Sequence, residues 1–242
     1  METLERVALV TGASGSGIGR SVALTLARKG TAVAVNYLHS QSSGEAVAKY
    51  INENGGCAFP VQGDVFDPLD CGRMVETVLE RLGRVDICVI GPGANWNPEP
   101  VEEIDPEKAF QDALQELRPI YNLLPLVLKD MQKRKTGRVV GISSNLTIPS
   151  PAYCYNAAKA GRTGALLQAV NEAWKLGVTV NVVAPGPVDP FSSLEEAWAF
   201  SAHGESWRNR TRVTPQDVAD CVAFLCSEEA RYLTGCVLPL LF

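Results

Sequence analysis

Short apolar runs rich in β-branched residues alternate along this sequence with longer segments of helical pattern. The runs show no polar alternation, which is typical of strands covered on both faces of a parallel sheet. Each is followed by a stretch long enough for a crossover helix. The pattern predicts one doubly wound α/β domain with a mostly parallel sheet over residues 1–242. The predicted strands are 7–11, 32–36, 58–61, 85–90, 138–143, 178–183 and a last run at 236–241.

The segments between these runs have the length and composition of helices, and no gap in the alternation suggests a domain boundary. After the strand ending near residue 183 the pattern lapses, and residues 187–214 are of mixed character. Because open α/β sheets bind ligands beyond the carboxyl ends of their strands, we expect 187–214 to be a substrate loop. The predicted helices are 17–29, 43–54, 68–82, 106–135, 151–176 and 215–226.

Composition narrows the function classes. The chain has 22 basic and 27 acidic residues, which gives no support to nucleic-acid binding. The N-terminal apolar segment is too short for a signal peptide or a membrane span, so we expect a cytoplasmic protein without a membrane partner. Seven cysteines without a C-x-x-C pair are expected to be reduced. The two histidines are far apart in sequence, and we expect no metal site.

A glycine-rich turn joins the first predicted strand to the first predicted helix. Glycines at such a turn let the backbone approach a pyrophosphate, which the amides and dipole of the helix N-terminus favour. A flexible turn is the alternative interpretation, but the position in a βαβ unit favours a dinucleotide site. The candidate residues here are Gly12, Ser14, Ser16, Gly17, Ile18 and Gly19.

Asp64 and Val65 directly follow the third predicted strand, at the edge where an adenine would be met. Taken alone, Asp64 is more typical of a solvated turn or a helix cap.

Tyr155 and Lys159 are spaced i and i+4, which places both side chains on one helix face. A tyrosine has an ordinary pKa near 10, so acid–base work near neutral pH requires a neighbouring positive charge. Lys159 can supply that charge. Ser144, at the end of the preceding strand, can bring a hydroxyl to the same substrate carbonyl as Tyr155. A single pair of this kind is usually a surface pair. The conjunction of all three with the upstream glycine turn favours a catalytic site.

These pieces together resemble the short-chain dehydrogenase/reductase family, from the first strand to the last. The resemblance rests on Thr11-Gly12 with Gly17-Ile18-Gly19, Asp64-Val65, Ile142-Ser143-Ser144, Tyr155 to Lys159, and Asn181 to Gly186. Within that family, the sequence most resembles the 3-oxoacyl-carrier-protein reductase and carbonyl reductase branch. It implies a Rossmann-like fold and hydride transfer from a nicotinamide to a carbonyl.

The resemblance also assigns roles. Tyr155 would donate the proton, Lys159 would lower its pKa and hold the nicotinamide ribose, and Ser144 would orient the carbonyl. Further backbone contacts to the cofactor are expected at Gly91, Gly93, Pro185, Gly186 and Val188.

The sequence departs from the family pattern at four places. The glycine turn has four residues, 13–16, where the family usually has three, so we expect the loop to bulge. The usual Asn-Asn-Ala-Gly reads Ile90-Gly91-Pro92-Gly93, and the family's fourth catalytic residue, an asparagine, aligns near Gln115 or Glu116. The chain also ends without the usual Asp-Gly-Gly.

We expect NADP(H) rather than NAD(H), although NAD(H) stays possible. A carboxylate at the end of the second strand would bind the ribose of NAD, and none occurs here before Glu45. Asn36, His39 and Ser40 are expected to donate hydrogen bonds to a 2′-phosphate, with Ser14 and Ser16 facing them. A polar turn indifferent to the phosphate is the alternative, since no Arg or Lys lies between Thr31 and Lys49.

The sequence thus predicts an oxidoreductase acting on a small-molecule carbonyl or alcohol. Two alternatives stay open: a nucleotide-binding relative with lost or altered catalysis, and a lyase or epimerase that uses the same tyrosine. The family resemblance and the apolar C-terminal run predict a homo-oligomer, a tetramer or a dimer.

Overall fold

A computed structural model describes residues 6–147, 150–203 and 212–240. These ranges contain seven strands and eight helices, with a short 3₁₀ helix at Val101–Glu103. The strands are β1 Val7–Val10, β2 Ala32–Tyr37, β3 Ala58–Gln62, β4 Ile87–Ile90, β5 Gly137–Ile142, β6 Val178–Pro185 and β7 Val237–Leu240. The helices are α1 Ile18–Arg28, α2 Gln41–Glu53, α3 Pro68–Leu82, α4 Pro106–Met131, α5 Tyr153–Gln168, α6 Val170–Lys175, α7 Leu194–His203 and α8 Pro215–Cys226.

The strands form one parallel sheet in the order β3-β2-β1-β4-β5-β6-β7. The chain runs outward from β1 to β3, then returns to place β4 on the other side of β1. The direction of winding therefore reverses between β1 and β4, and doubly wound sheets bind ligands at such a point. The predicted doubly wound α/β fold is confirmed.

Each face of the sheet is covered by helices, as the uniformly apolar strands require. One core packs residues of α1, α2 and α8 against the sheet, including Leu24, Ile51 and Val222. The other packs α3, α4 and α5, including Met74 and Leu123. All of these side chains are almost completely buried.

Three helices begin in the same way, with a capping side chain followed by proline. Asp67, Asp105 and Thr214 each accept a hydrogen bond from a backbone amide of the first turn. Proline at the first helical position fits because its missing N–H would have no partner inside the helix. This local chemistry explains why the predicted starts at residues 68, 106 and 215 match the observed ones.

Two predictions of local structure were incomplete. The segment 151–176 forms two helices, because α5 ends at Gln168 and the chain continues as the short α6. The substrate loop contains a helix, α7, where we predicted only mixed structure. Residues 204–211 of that loop lie outside the described residues. Within the described ranges, no helix is long and apolar enough to span a membrane.

Candidate active site

The site begins where the carboxyl ends of β1 and β4 lie side by side. Thr11 holds the two ends together, because its backbone amide and its hydroxyl both donate to the carbonyl of Val89, at 3.0 and 2.9 Å. The amide of Gly91 donates in turn to the Thr11 hydroxyl at 3.0 Å. The glycine turn after β1 and the glycine turn after β4 are thus fixed to each other.

The first glycine turn is packed tightly on one side and open on the other. Gly12 has a φ of 64°, a left-handed conformation that favours glycine. A Cβ on Gly19 would lie 2.4 Å from the Gly12 carbonyl oxygen, so only glycine allows α1 to begin this close to the turn. A Cβ on Gly15 or Gly17 would meet nothing within 4 Å.

This open side fits a dinucleotide. The N-cap residue of α1, Gly17, makes no side-chain cap, so the first amides of Ile18 and its neighbours lack an internal side-chain partner. Ser14 is half-buried and Ser16 is exposed in the same turn. Free amides, two hydroxyls and a helix N-terminus at the sheet's reversal point have the chemistry of a phosphate site.

Asn36 differs from its predicted role. Its amide is buried, accepts from the Gly12 amide at 3.0 Å and donates to the Gly63 carbonyl at 3.0 Å. The same nitrogen also lies 3.3 Å from the Tyr37 carbonyl. Because these backbone groups use the amide, Asn36 fastens the turns after β1 and β3 to β2. The expectation that it donates to a 2′-phosphate is corrected on this ground.

The other candidate cofactor contacts in this part of the sheet lie after β2 and after β3. His39 and Ser40 are exposed after β2, and the Ser40 hydroxyl accepts from the Ser43 amide as the N-cap of α2. Asp64 is half-buried, and one of its carboxylate oxygens accepts from the Phe66 amide at 2.8 Å. Val65 is buried beside it. Asp64 therefore stabilises the turn that presents Val65.

Helix α5 carries the predicted catalytic side chains on the face turned towards the sheet. Tyr155, Lys159 and Arg162 follow one another at helical spacing, and the Lys159 ammonium lies 5.3 Å from the centre of the Tyr155 ring. The end of β5 is tied to the same helix, because the Ser143 hydroxyl donates to the Lys159 carbonyl at 3.2 Å. The next residue, Ser144, is half-buried at the strand's carboxyl end. β5 and α5 therefore bring Ser144, Tyr155 and Lys159 to one edge.

A completely buried carboxylate, Glu116 of α4, lies behind these side chains. Its oxygens accept from the Lys159 ammonium at 2.9 Å, from the Arg162 guanidinium at 2.9 Å and from the Ala94 amide at 2.7 Å. Neither charge of the Arg162–Glu116 pair is exposed. Charges this deep are retained only when they are paired and hydrogen-bonded. Both groups are paired here, and among the described residues the Arg162 Nε alone of their charged-group atoms has no hydrogen-bond partner.

Burial shifts the pKa values of the two candidate catalytic groups, Tyr155 and Lys159. Burial, followed by the negative charge of Glu116, raises the pKa of Tyr155 to about 12, while Arg162 acts in the opposite direction. Burial lowers the pKa of Lys159, and Glu116 opposes this by favouring the charged ammonium. The pKa of Tyr155 is therefore raised, and the expectation that Lys159 lowers it is wrong, because burial and the charge of Glu116 outweigh the neighbouring positive charge of Arg162. The hydroxyl is protonated near neutral pH, in the state that can donate a proton.

A groove of about 740 Å³ opens beside the start of α5, and Tyr153, Asn156 and Ala157 line it. At 100° per residue, Tyr153 and Ala157 point about 120–160° away from Tyr155 and Lys159, whereas Asn156 lies only about 60° from Lys159. The groove therefore borders the helix face that carries Tyr155 and Lys159.

The last expected contacts lie at the end of β6. Pro185 is buried at the strand end, and the Gly186 amide donates to the Leu240 carbonyl at 3.1 Å. Val188 is half-buried and forms an isolated bridge with Val213. The predicted substrate loop, 187–214, therefore begins from a fixed point at the end of β6.

Helix α7 of the substrate loop is held against α1. Arg28 donates to the Trp198 carbonyl at 3.0 Å and to the Ser201 hydroxyl at 2.9 Å, and its guanidinium lies 3.9 Å from the centre of the Trp198 ring. At the start of the same loop, Arg20 donates to the Phe191 carbonyl at 2.9 Å. The helix that follows the glycine turn thus also positions the loop.

Sequence reasoning missed Arg162 altogether and treated Glu116 only as a position aligned with a family asparagine. A signal was present: Arg162 lies three residues after Lys159, on the helix face that must be buried against the sheet. A charge on a buried face requires a partner of opposite sign. The partner carboxylate is Glu116 of α4. The local sequence pattern does not predict how α4 packs against α5, so it could not identify this partner.

Comparison with known proteins agrees with this geometry. A family model described as short chain dehydrogenase matches residues 6–198. The 3-oxoacyl-[acyl-carrier-protein] reductase of Staphylococcus aureus is 32% identical over 238 residues, covering 96% of this chain and 95% of that protein. The reductases of the same name from Synechocystis and Escherichia coli are each 33% identical, and each alignment covers 95% of this chain and 93% of the relative. The chain therefore belongs to the short-chain dehydrogenase family, a class of NAD(P)H-dependent oxidoreductases.

Proposed function

We propose that this protein is an NADPH-dependent reductase that converts a 3-oxoacyl thioester into the corresponding 3-hydroxyacyl thioester. The observation that supports the proposal is the Lys159 ammonium 5.3 Å from the centre of the Tyr155 ring, on the helix that follows the strand ending beside Ser144. The substrate class is supported by three relatives named as 3-oxoacyl-carrier-protein reductases, each aligned over nearly its whole length.

The side chains divide the work on the carbonyl. Tyr155, protonated because its pKa is raised to about 12, donates its proton to the carbonyl oxygen. Ser144 donates a hydrogen bond that orients the same oxygen. Lys159, held beside the Tyr155 ring, supplies a positive charge that stabilises the tyrosinate left after proton transfer.

The cofactor would lie across the sheet's reversal point. The glycine turn would hold its pyrophosphate, Asp64 and Val65 would meet the adenine, and the backbone of Gly91, Gly93 and 185–188 would border the rest. When bound, the nicotinamide supplies the hydride. We propose NADPH because the end of β2 carries no carboxylate; with Asn36 occupied, His39, Ser40, Ser14 and Ser16 remain as donors to a 2′-phosphate.

The test is to incubate purified protein with NADPH or NADH and follow cofactor oxidation with acetoacetyl-CoA and with a carrier-protein-linked 3-oxoacyl group. We expect NADPH-dependent reduction of the thioesters and little reduction of simple ketones, with the Tyr155→Phe variant as the matched control. Binding of NADPH without turnover on any thioester would favour the nucleotide-binding alternative. Dissociation constants for NADPH and NADH equal within about threefold, under 1 kcal/mol, would overturn the cofactor preference.

We further propose a homo-oligomer that uses the outer face of α4. Phe110, Leu114 and Tyr121 lie on one face of that helix at helical spacing and are 65%, 42% and 63% exposed. Exposed apolar stripes of this kind are typical of subunit contacts. Light scattering should give a mass above the 26.0 kDa of one chain, and the Tyr121→Glu variant should lower it. A wild-type monomer at micromolar concentration would refute the assembly.

A further inference from the structure

The turn after β4 contains no side chain that could tie it in place. Gly91, Pro92 and Gly93 have no polar side-chain atoms, so the carbonyls of this turn need partners from other elements. Arg162 supplies them: its guanidinium donates to the carbonyls of Ile90 at 2.7 Å and of Pro92 at 2.8 Å.

Glu116 fixes the same turn from α4. One of its oxygens accepts from the Ala94 amide at 2.7 Å, and the other pairs with Arg162 at 2.9 Å. A Cβ at position 93 would lie 2.4 Å from both carboxylate oxygens, so the glycine there makes room for the carboxylate. Glu116, Arg162 and Gly93 therefore fit one another as a unit.

This unit also holds the catalytic lysine. Lys159 is buried, and Glu116 is the group paired with its ammonium among the described residues, at 2.9 Å. We propose that Glu116 and Arg162 act as a positioning pair that fixes Lys159 beside Tyr155 and fixes the turn 91–93 beside the cofactor site. The proposal rests on the proposed role of Tyr155 in the reduction.

The charges of the pair give it a second consequence. Glu116 pairs with both Lys159 and Arg162, so these buried charged groups lie together beside Tyr155. In the described part of the chain, the charged groups that act on Tyr155 come from α4 and α5, with Glu116 raising its pKa and Arg162 lowering it. Loss of either member should therefore move the titration of Tyr155, and the two losses should move it in opposite directions.

The experiment compares Glu116→Gln, Arg162→Leu and Arg162→Lys. Tyr155 is titrated by NMR of the tyrosine-labelled protein, with its signal assigned by its absence in Tyr155→Phe. We expect Glu116→Gln to move the titration to lower pH and Arg162→Leu to higher pH, each on the order of one unit. Arg162→Lys keeps the positive charge but loses the planar guanidinium that bonds two carbonyls of the turn at once. The titration of Tyr155 should therefore be unchanged, while the dissociation constant for NADPH should rise about tenfold.

Catalysis gives a separate readout. We expect Glu116→Gln to lower kcat about tenfold or more with little change in KM for the carbonyl substrate, because a misplaced lysine affects the reaction rather than binding. The matched control is Asp130→Asn, which removes another buried carboxylate from α4. Asp130 pairs with Arg134 at 2.7 Å and lies 14 residues after Glu116, about 21 Å further along α4. The Asp130→Asn variant should lower the thermal stability and leave the Tyr155 titration unchanged.

Titration shifts of the same sign in Glu116→Gln and Arg162→Leu, or no shift in either, would overturn the positioning role. If Arg162→Leu does not fold, the test uses Arg162→Lys and Gly93→Ala instead. The new Cβ in Gly93→Ala would displace the Glu116 carboxylate. An unchanged titration in Gly93→Ala and an unchanged NADPH affinity in Arg162→Lys would then count against the proposal. The titration and binding readouts do not need turnover. They therefore separate failure of this inference from failure of the proposed reductase activity, which would appear as absent turnover in the wild-type protein.

Discussion

The close contact between Gly19 and the Gly12 carbonyl gives a sharp test of the cofactor site. In the Gly19→Ala variant the new Cβ would lie 2.4 Å from a backbone oxygen, about 1 Å closer than ordinary van der Waals contact allows. A backbone carbonyl cannot rotate away as a flexible side chain can, so either α1 or the glycine turn must shift. Overpacking of this kind costs about 1–3 kcal/mol.

The assay is fluorescence titration with NADPH, combined with thermal unfolding. If the turn shifts in the free protein and must return for binding, the cost appears as a dissociation constant raised about 5- to 150-fold. If the clash is instead retained in the fold, the melting temperature falls. The control is Gly72→Ala on α3, where a Cβ meets nothing within 4 Å, and which should stabilise the helix by about 0.5–1 kcal/mol. Gly19→Ala with unchanged affinity and unchanged stability would refute the close-packing argument.

Three further outcomes follow from the site. Tyr155→Phe should reduce turnover about 100-fold or more and leave the NADPH dissociation constant within about threefold, as measured by steady-state kinetics and titration; a rate above about a tenth of wild type would exclude Tyr155 as the acid. Because folding raises the pKa of Tyr155 from 10.0 to about 12, the unfolded chain releases this proton first as pH rises. The free energy of unfolding should therefore fall by about 1–3 kcal/mol between pH 10 and pH 12, and urea denaturation should show that Tyr155→Phe lacks this part of the loss. Asn36→Leu leaves the Gly12 amide and the Gly63 carbonyl without their buried partner, which should lower the free energy of unfolding by about 2–4 kcal/mol in the same assay and weaken NADPH binding; unchanged stability would show that water replaces the amide.

The fold could be predicted because its signals are local. Uninterrupted apolar runs specify strands covered on both faces, and a cap followed by proline specifies where α3, α4 and α8 begin. The positions of Ser144, Tyr155 and Lys159 followed from the same order of elements. What failed depended on contacts across the sheet. The Asn36 side chain has an amide that could bind a ligand. That amide is instead hydrogen-bonded to the backbone of Gly12 and Gly63, 24 and 27 positions away in sequence. Helix α7 was missed because its docking depends on Arg28 of α1.

Two buried carboxylates of α4, Glu116 and Asp130, contact the two ends of β4. Asp130 accepts from the Val85 amide at 3.0 Å, just before β4 begins, and Glu116 accepts from the Ala94 amide at 2.7 Å, after β4 ends. Each carboxylate is also paired with an arginine, Arg134 or Arg162. α4 is thus fastened at both ends of β4, the strand beside the sheet's reversal point. The Asp130 contact lies at the end of β4 away from Tyr155. Glu116 at the other end is also paired with Lys159, so we expect a change in the packing of α4 against β4 at that end to displace Lys159.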